Sequence, residues 1–316
     1  MRKYDEIKHT YQRVLKFLLN DIWHLDLSEL GIMRARLIRY LKVLIITVRG
    51  FARDKIALQA ASLSFFSAMS VVPIITLVFV ITNGFGLEEK LRDIIFKSFE
   101  GNKEIVEKII DISGNIIKTS QNGFFGAISF IFLLWTIVWL MLSVERSFNE
   151  IWRVSSARAL GKRVAYYFAL LLGSPMVIIV FLTLSFYYSN ALYQFGVNID
   201  KYFPITSLFS WIIAYCIVVL VFTVMYKYIP NTKVKLSAAF NSALILAFAF
   251  IVVQFLYLET QIMVVGLNAI YGVFAAIPLF LIWMNISWTL ILFGAELSHA
   301  YQNVDCYKLD DFNFKL

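Results

Sequence analysis

Histidine and cysteine are scarce in this chain: three of the one and two of the other among 316 residues. Cys216 lies inside an apolar run and Cys306 near the C-terminal end, which gives neither a disulfide framework nor a metal-ligand spacing. His9, His24 and His299 are scattered, and no H-x-E, H-E-x-x-H or C-x-x-C pattern occurs. There is no Walker A loop, so no ATPase motor is encoded here. No isolated apolar h-region precedes residue 40, and no cleavable signal peptide is expected. These absences point away from a metallohydrolase and from any cofactor-dependent enzyme; no cofactor and no metal site are expected.

Charge is also scarce, and that absence decides the class. Charged residues make up 16% of the chain and hydrophobic residues 60%, with a mean hydropathy of +0.73. A soluble domain carries about 25% charge, so most of this chain must face lipid or other membrane helices. The longest statement of this is Tyr271 to Leu297, in which no residue before Glu296 carries a formal charge. About 20 apolar residues suffice to cross a ~30 Å hydrocarbon core. The pattern predicts an all-α polytopic membrane protein with six spans, at about 57–83, 123–144, 164–189, 205–226, 236–258 and 271–296.

What is present besides apolar residues lies between the spans. Residues 1–55 read as amphipathic helices, with Arg34, Arg39, Lys42 and Arg49 beside an apolar set of Leu37, Leu41, Leu44, Ile45 and Val48. Such a helix can lie in the headgroup layer or pack on the bundle, and the pattern leaves both open. Residues 88–120 form a hydrophilic helical excursion, and 298–316 a polar tail. Both termini fall on the same side of a six-span protein. Lys and Arg number 22 on that side against 7 opposite, which makes it the cytoplasmic side and the excursion periplasmic. The net charge of +8 is therefore topology, and no nucleic acid is expected as a partner. Anionic membrane headgroups are, at the cytoplasmic face. No oligomeric state follows from the sequence.

Within the spans the polar residues are neutral. Gln59, Asn241, Gln254, Asn285 and Thr289, with Glu296 closing the last span, form the candidate polar pathway, or else a hydrogen-bonding face between helices. Asn285, Thr289 and Glu296 share one face of the sixth span, with His299 nearly in line. Pro73, Pro175 and Pro278 are candidate kinks, and Pro230-Asn231 is a turn. Ala57, Ala60, Ala61, Ser64 and Ala68 supply small-xxx-small pairs for close helix approach. Glu296 is an acid expected at a helix C-terminus, where it opposes the dipole by ~0.3–1 kcal/mol. A compensating base is expected among Arg53, Lys55, Arg146 and Arg153.

Four ordered segments carry a resemblance. They are AASLSFFSAMSVVPI (60–74), SFNEIWRV (147–154) with Asn149 and Trp152, YKYIPNTKV (226–234) with Pro230 and Asn231, and IYGVFAAIPLFLIWMNISWTLILFGAEL (270–297) ending in Gly294, Ala295 and Glu296. They are similar to the YihY or virulence-factor BrkB family of bacterial inner-membrane proteins. The resemblance implies six helices and an inner-membrane location. Members have long carried a ribonuclease BN label, which the scattered histidines here do not favour. Family links to the envelope imply a protein that is not an enzyme and that transports or exposes a lipid or similar amphiphile. The alternative is a scaffold for other envelope proteins, and a tRNA-processing ribonuclease ranks third.

Overall fold

The last apolar run forms a single helix around which the others gather, and it continues past Glu296 to Asn303. The structure is a computed structural model that describes residues 21–24, 31–84, 107, 111, 123–154, 161, 205–265 and 269–307. In chain order the described helices are α1 (Ile22–His24), α2 (Ile32–Arg53), α3 (Ile56–Gly84), α4 (Gly123–Ile151), α5 (Ile205–Tyr228), α6 (Leu236–Val265) and α7 (Ala269–Asn303). No strand occurs among the described residues. The amphipathic pattern of residues 1–20, the hydrophilic excursion (apart from Glu107 and Asp111), the third expected span with Pro175, and the tail beyond Tyr307 lie outside the described residues.

The protein is an all-helical membrane protein. Ile56–Ile74, Leu236–Gln261 and Ile277–Asn303 are long and apolar enough to cross a bilayer, and Ala214–Tyr228 is a shorter apolar helix. The outward faces agree with this. Phe65, Ile131, Phe132, Leu220, Phe248 and Met263 are each at least 60% exposed, an arrangement that costs little in hydrocarbon and a great deal in water.

α7 touches α2, α3, α4, α5 and α6. Its most extensive neighbour is α6, where Ala239, Ala243 and Ala247 recur every four residues and are fully buried. Small side chains at that spacing let backbones close up in lipid, where no hydrophobic driving force separates helix contact from lipid contact. Ser242, on the same face, donates its hydroxyl to Gly294 O at 2.5 Å. On α3 the small residues divide. Ala60 and Ser64 are buried, while Ala57 and Ala61 face outward. Ser67, one turn further along the buried side, accepts from Trp288 Nε1 at 2.8 Å, a contact worth on the order of 0.6–2 kcal/mol in a membrane.

Pro73 and Pro278 both lie inside continuous helices. The large core side chains collect toward one end: Phe148 of α4 stacks on Tyr226 of α5 at 6.3 Å, and Phe51 of α2 meets Phe293 of α7 edge-on at 6.1 Å. That end is where α2 turns into α3, α4 stops, α5 turns into α6, and α7 finishes.

Candidate functional site: a charged hub at one end of the bundle

Two helices stop at this end on a left-handed residue. α4 finishes with Arg153 N–H bonded to Glu150 O at 3.0 Å and Val154 N–H bonded to Asn149 O at 2.8 Å. This is the paired closing pattern that usually places glycine at the left-handed position; here that position is Arg153, with φ 53°. α2 finishes similarly, with Lys55 N–H on Ala52 O at 3.3 Å and Lys55 at φ 49°. A left-handed residue with a Cβ costs about 1–2 kcal/mol. Two basic side chains thus stand where glycine would be the easier choice, and both turns open toward α7.

Between them lies a set of charges. Arg53 holds the neighbouring carboxylate of Asp54 by two parallel bonds, Nε to Oδ1 and Nη2 to Oδ2, each 2.7 Å. The same Nη2 is 3.9 Å from Glu296 Oε1. Glu296 is fully buried, and neither of its oxygens accepts a hydrogen bond from a described residue. The Asp54 and Glu296 carboxyl groups meet at this guanidinium, Oδ2 and Oε1 both lying on its Nη2. Gly50 makes room for the Glu296 carboxyl: a Cβ there would fall 2.6 Å from Glu296 Cδ and 2.7 Å from Oε1. Gln59 braces the turn, its amide donating to Asp54 O at 2.8 Å.

The electrostatics follow from that geometry. Burial pushes the Asp54 carboxyl up, but the hydrogen bonds and charge of Arg53 outweigh it and hold the group below the usual carboxylate range. Arg53 is held in its charged form by its bonds to Asp54, against the opposing effect of burial. Further along α2, burial lowers Lys42, whose ammonium sits 5.7 Å over the Trp23 ring.

Beside this set is an open cleft of about 180 Å³ lined by Arg153, His299, Asn303, Cys306 and Tyr307. The guanidinium of Arg153 lies 5.9 Å over the Tyr307 ring and donates to its hydroxyl at 3.3 Å. His299 is buried edge-on against Trp152 at 5.2 Å, and its Nδ1 has no hydrogen-bond partner among the described residues. An arginine and a histidine lining one cleft suit an anion with several oxygens. Among the described residues no three His, Cys, Asp or Glu side chains are grouped as a metal site requires.

The candidate polar residues are distributed unevenly relative to this hub. Gln59 and Glu296 are part of it. Asn241 is exposed on α6 and Gln254 is half-buried 13 positions further on, roughly 20 Å along the axis. Asn285 and Thr289 are half-buried on α7, where the Thr289 hydroxyl bonds Asn285 O at 2.8 Å. Asn285 is roughly 16 Å along the helix from Glu296. Pro230 is buried in the α5–α6 turn, and the Asn231 N–H donates to Asn149 Oδ1 at 2.7 Å. Glu296 is two turns short of the helix end, not at it, so burial rather than the dipole governs its environment. Of the four candidate bases, Arg53 forms the ion pair with it. Gly50 and Asp54 were not singled out from sequence; a glycine inside a long helix, where it costs about 1 kcal/mol, was the available signal.

Comparison with known proteins places the whole arrangement. The family model described as "Virulence factor BrkB" matches residues 47–311, which contain every hub residue named above. A UPF0761 membrane protein of Legionella pneumophila (strain Corby) is 29% identical over 264 residues, 80% of this chain and 60% of that protein. Another, from Paraburkholderia xenovorans, is 32% identical over 263 residues, 79% of this chain and 57% of the relative. A third, from Aggregatibacter aphrophilus, is 28% identical over 269 residues and is covered to 91%. The chain thus spans about 60% of the length of the first of these relatives. No solved structure matches the chain. The protein described here belongs to the virulence factor BrkB family of membrane proteins.

Proposed function

We propose that this protein moves or exposes an anionic lipid, or another amphiphile with an anionic head, at the cytoplasmic face of a bacterial inner membrane, with both termini in the cytoplasm and no covalent chemistry of its own. The observation that carries the reading is the cleft, which Arg153, held in a left-handed conformation, and His299 both line. A phosphate-bearing headgroup would use the guanidinium as a two-point donor and the imidazole as a third contact.

A second feature supports the location. Met33, Leu37, Tyr40, Leu44 and Val48 form an exposed apolar stripe on α2, while Val43, Ile46 and Thr47 face inward. Exposed Arg34, Arg36 and Arg39 accompany that stripe, as suits a helix lying in the interface against anionic lipid, where each basic residue contributes about 1 kcal/mol.

The test is headgroup-selective movement in vesicles. Purified protein reconstituted into liposomes should accelerate exchange of fluorescent phosphatidylglycerol between leaflets more than that of phosphatidylcholine. The excess should vanish on Arg153→Gln. Equal rates for both lipids, or none above empty vesicles, would favour the scaffold reading, to which the outward-facing Ala57 and Ala61 of α3 lend support. Metal-dependent trimming of tRNA precursors that is lost on His299→Ala would favour the ribonuclease.

A further inference from the structure

At contact distance the charges at the corner between α2 and α3 do not balance. Among the described residues Arg53 is the one base in ion-pair contact with two carboxyl groups, Arg153 acting on both only from further away. Its two short bonds both go to Asp54, and Glu296 is left at 3.9 Å, fully buried, with neither oxygen hydrogen-bonded among the described residues. Two ionised carboxylates on one guanidinium nitrogen, one of them dry, repel each other, and the single guanidinium in contact leaves one negative charge unbalanced at short range. A proton removes the conflict. Placed on Glu296, it turns the facing oxygens into a donor and an acceptor, brings the three groups to net zero, and gives the buried carboxyl the hydrogen bond it lacks.

We infer that Asp54 and Glu296 together form a one-proton binding site that latches α7 to the corner between α2 and α3. The surroundings fit a site that exchanges its proton with water. From α2 come Gly50, whose missing Cβ leaves room for the carboxyl, and Arg53; from the α2–α3 turn, Asp54. α3 contributes Gln59, already committed to Asp54 O. The end of α4 contributes Arg153, within electrostatic reach of both Asp54 and Glu296. α5 contributes the buried Tyr226 hydroxyl and α6 the Ser242 hydroxyl, both held at Gly294, two residues before Glu296. On α7 itself, His299 follows one turn later and borders the open cleft.

On binding, one proton from water joins a Glu296 oxygen, and the new O–H donates to Asp54. On release, the proton returns to water by way of the cleft, and the pair is left with two negative charges on the one guanidinium in contact with them. The corner then holds α7 less tightly, and the hub opens. This step does not depend on the lipid reading, because it concerns only groups within the chain.

Infrared spectroscopy of the full chain in a maltoside detergent, which has no ester carbonyl to obscure the region, tests it. At neutral pH the wild type minus Glu296→Gln difference should contain the carbonyl band of one protonated carboxyl group per chain, moving down in D2O. Asp54→Asn should abolish the same band although Glu296 is still present, because Arg53 is then free to pair with it fully. Should Glu296→Gln fail to fold, the comparison of wild type with Asp54→Asn decides. Absence of a protonated-carboxyl band in the wild type would overturn the site. Its survival in Asp54→Asn would also overturn it, reducing the pair to a solitary buried acid.

Discussion

The backbone N–H of Asn231 donates to the side-chain oxygen of Asn149 at 2.7 Å, joining residues 82 positions apart in the chain. The bond fastens the α5–α6 turn to the last turn of α4, one turn before Arg153. It also explains why a polar side chain sits in otherwise apolar surroundings, since Asn149 is buried. Asn149→Ala should destabilise the protein by about 1–3 kcal/mol, the cost of leaving a buried donor unmet. Asn149→Asp, which keeps the acceptor, should lose less. Thermal unfolding in detergent checks the order; equal losses would mean that the bond contributes only packing.

Gly294 lies directly beneath the Tyr226 hydroxyl. A Cβ at position 294 would collide with that oxygen and fall 2.6 Å from Cζ and 2.8 Å from Leu246 Cγ. Gly294→Ala should therefore cost at least the ~1–3 kcal/mol of an overpacked core. Tyr226→Phe in the same chain should recover only part of this, since Cζ remains in the way. Full additivity of the two losses in a double-mutant cycle would contradict the contact.

Arg153 offers a separation of stability from function. Its left-handed backbone costs about 1–2 kcal/mol that glycine would not incur, while its bond to Tyr307 is long and exposed. Arg153→Gly should therefore unfold no earlier than the wild type and yet lose selectivity for anionic lipid. A lower melting temperature would mean that the guanidinium holds the fold together.

Asp54 sets an acid limit. Its carboxyl is held below its ordinary value by Arg53, so its contribution is fully present above the unfolded value, about 3.9, and is lost as pH falls through the lower folded value. In a Glu296→Gln background, where no second carboxyl titrates beside it, the stability difference made by Asp54→Asn should stay constant from neutral pH down to about 4 and close below that. A difference that instead opens on acidification would reverse the sign of the interaction.

The expected topology can be checked without reference to any ligand. Gln302 bonds both Lys233 O at 3.1 Å and the Lys235 N–H at 2.7 Å, so the α5–α6 turn and the end of α7 share one side. In a cysteine-free background, an impermeant thiol reagent should reach a cysteine at position 105 in intact cells and spare Thr232→Cys. The opposite pattern would invert the protein in the membrane.

The apolar runs made the helices legible because each is charge-free over the length that a bilayer requires. Apolar length does not say where a helix ends, and α7 passes two turns beyond Glu296 because Ser298, His299 and Ala300 are buried against neighbours brought in from elsewhere in the chain. The candidate base for Glu296 was legible as a short set, with Arg53 among it. The acid beside it was not: Asp54 reads as an ordinary span-end charge until α2 and α7 are placed together. Nor does any local pattern distinguish Ala60, buried, from Ala57 and Ala61, exposed, since all belong to small-xxx-small pairs. Side-by-side placement of distant segments carries that information, and a single sequence does not print it.

The central claim is that the charged end of the bundle recognises an anionic headgroup through Arg153. Native mass spectrometry of the detergent-purified protein, offered equal amounts of phosphatidylglycerol and phosphatidylcholine, reads this directly. Bound phosphatidylglycerol should predominate on the wild type and fall to the level of phosphatidylcholine on Arg153→Gln. Equal retention of the two lipids by the wild type, or a preference that Arg153→Gln leaves intact, would contradict it.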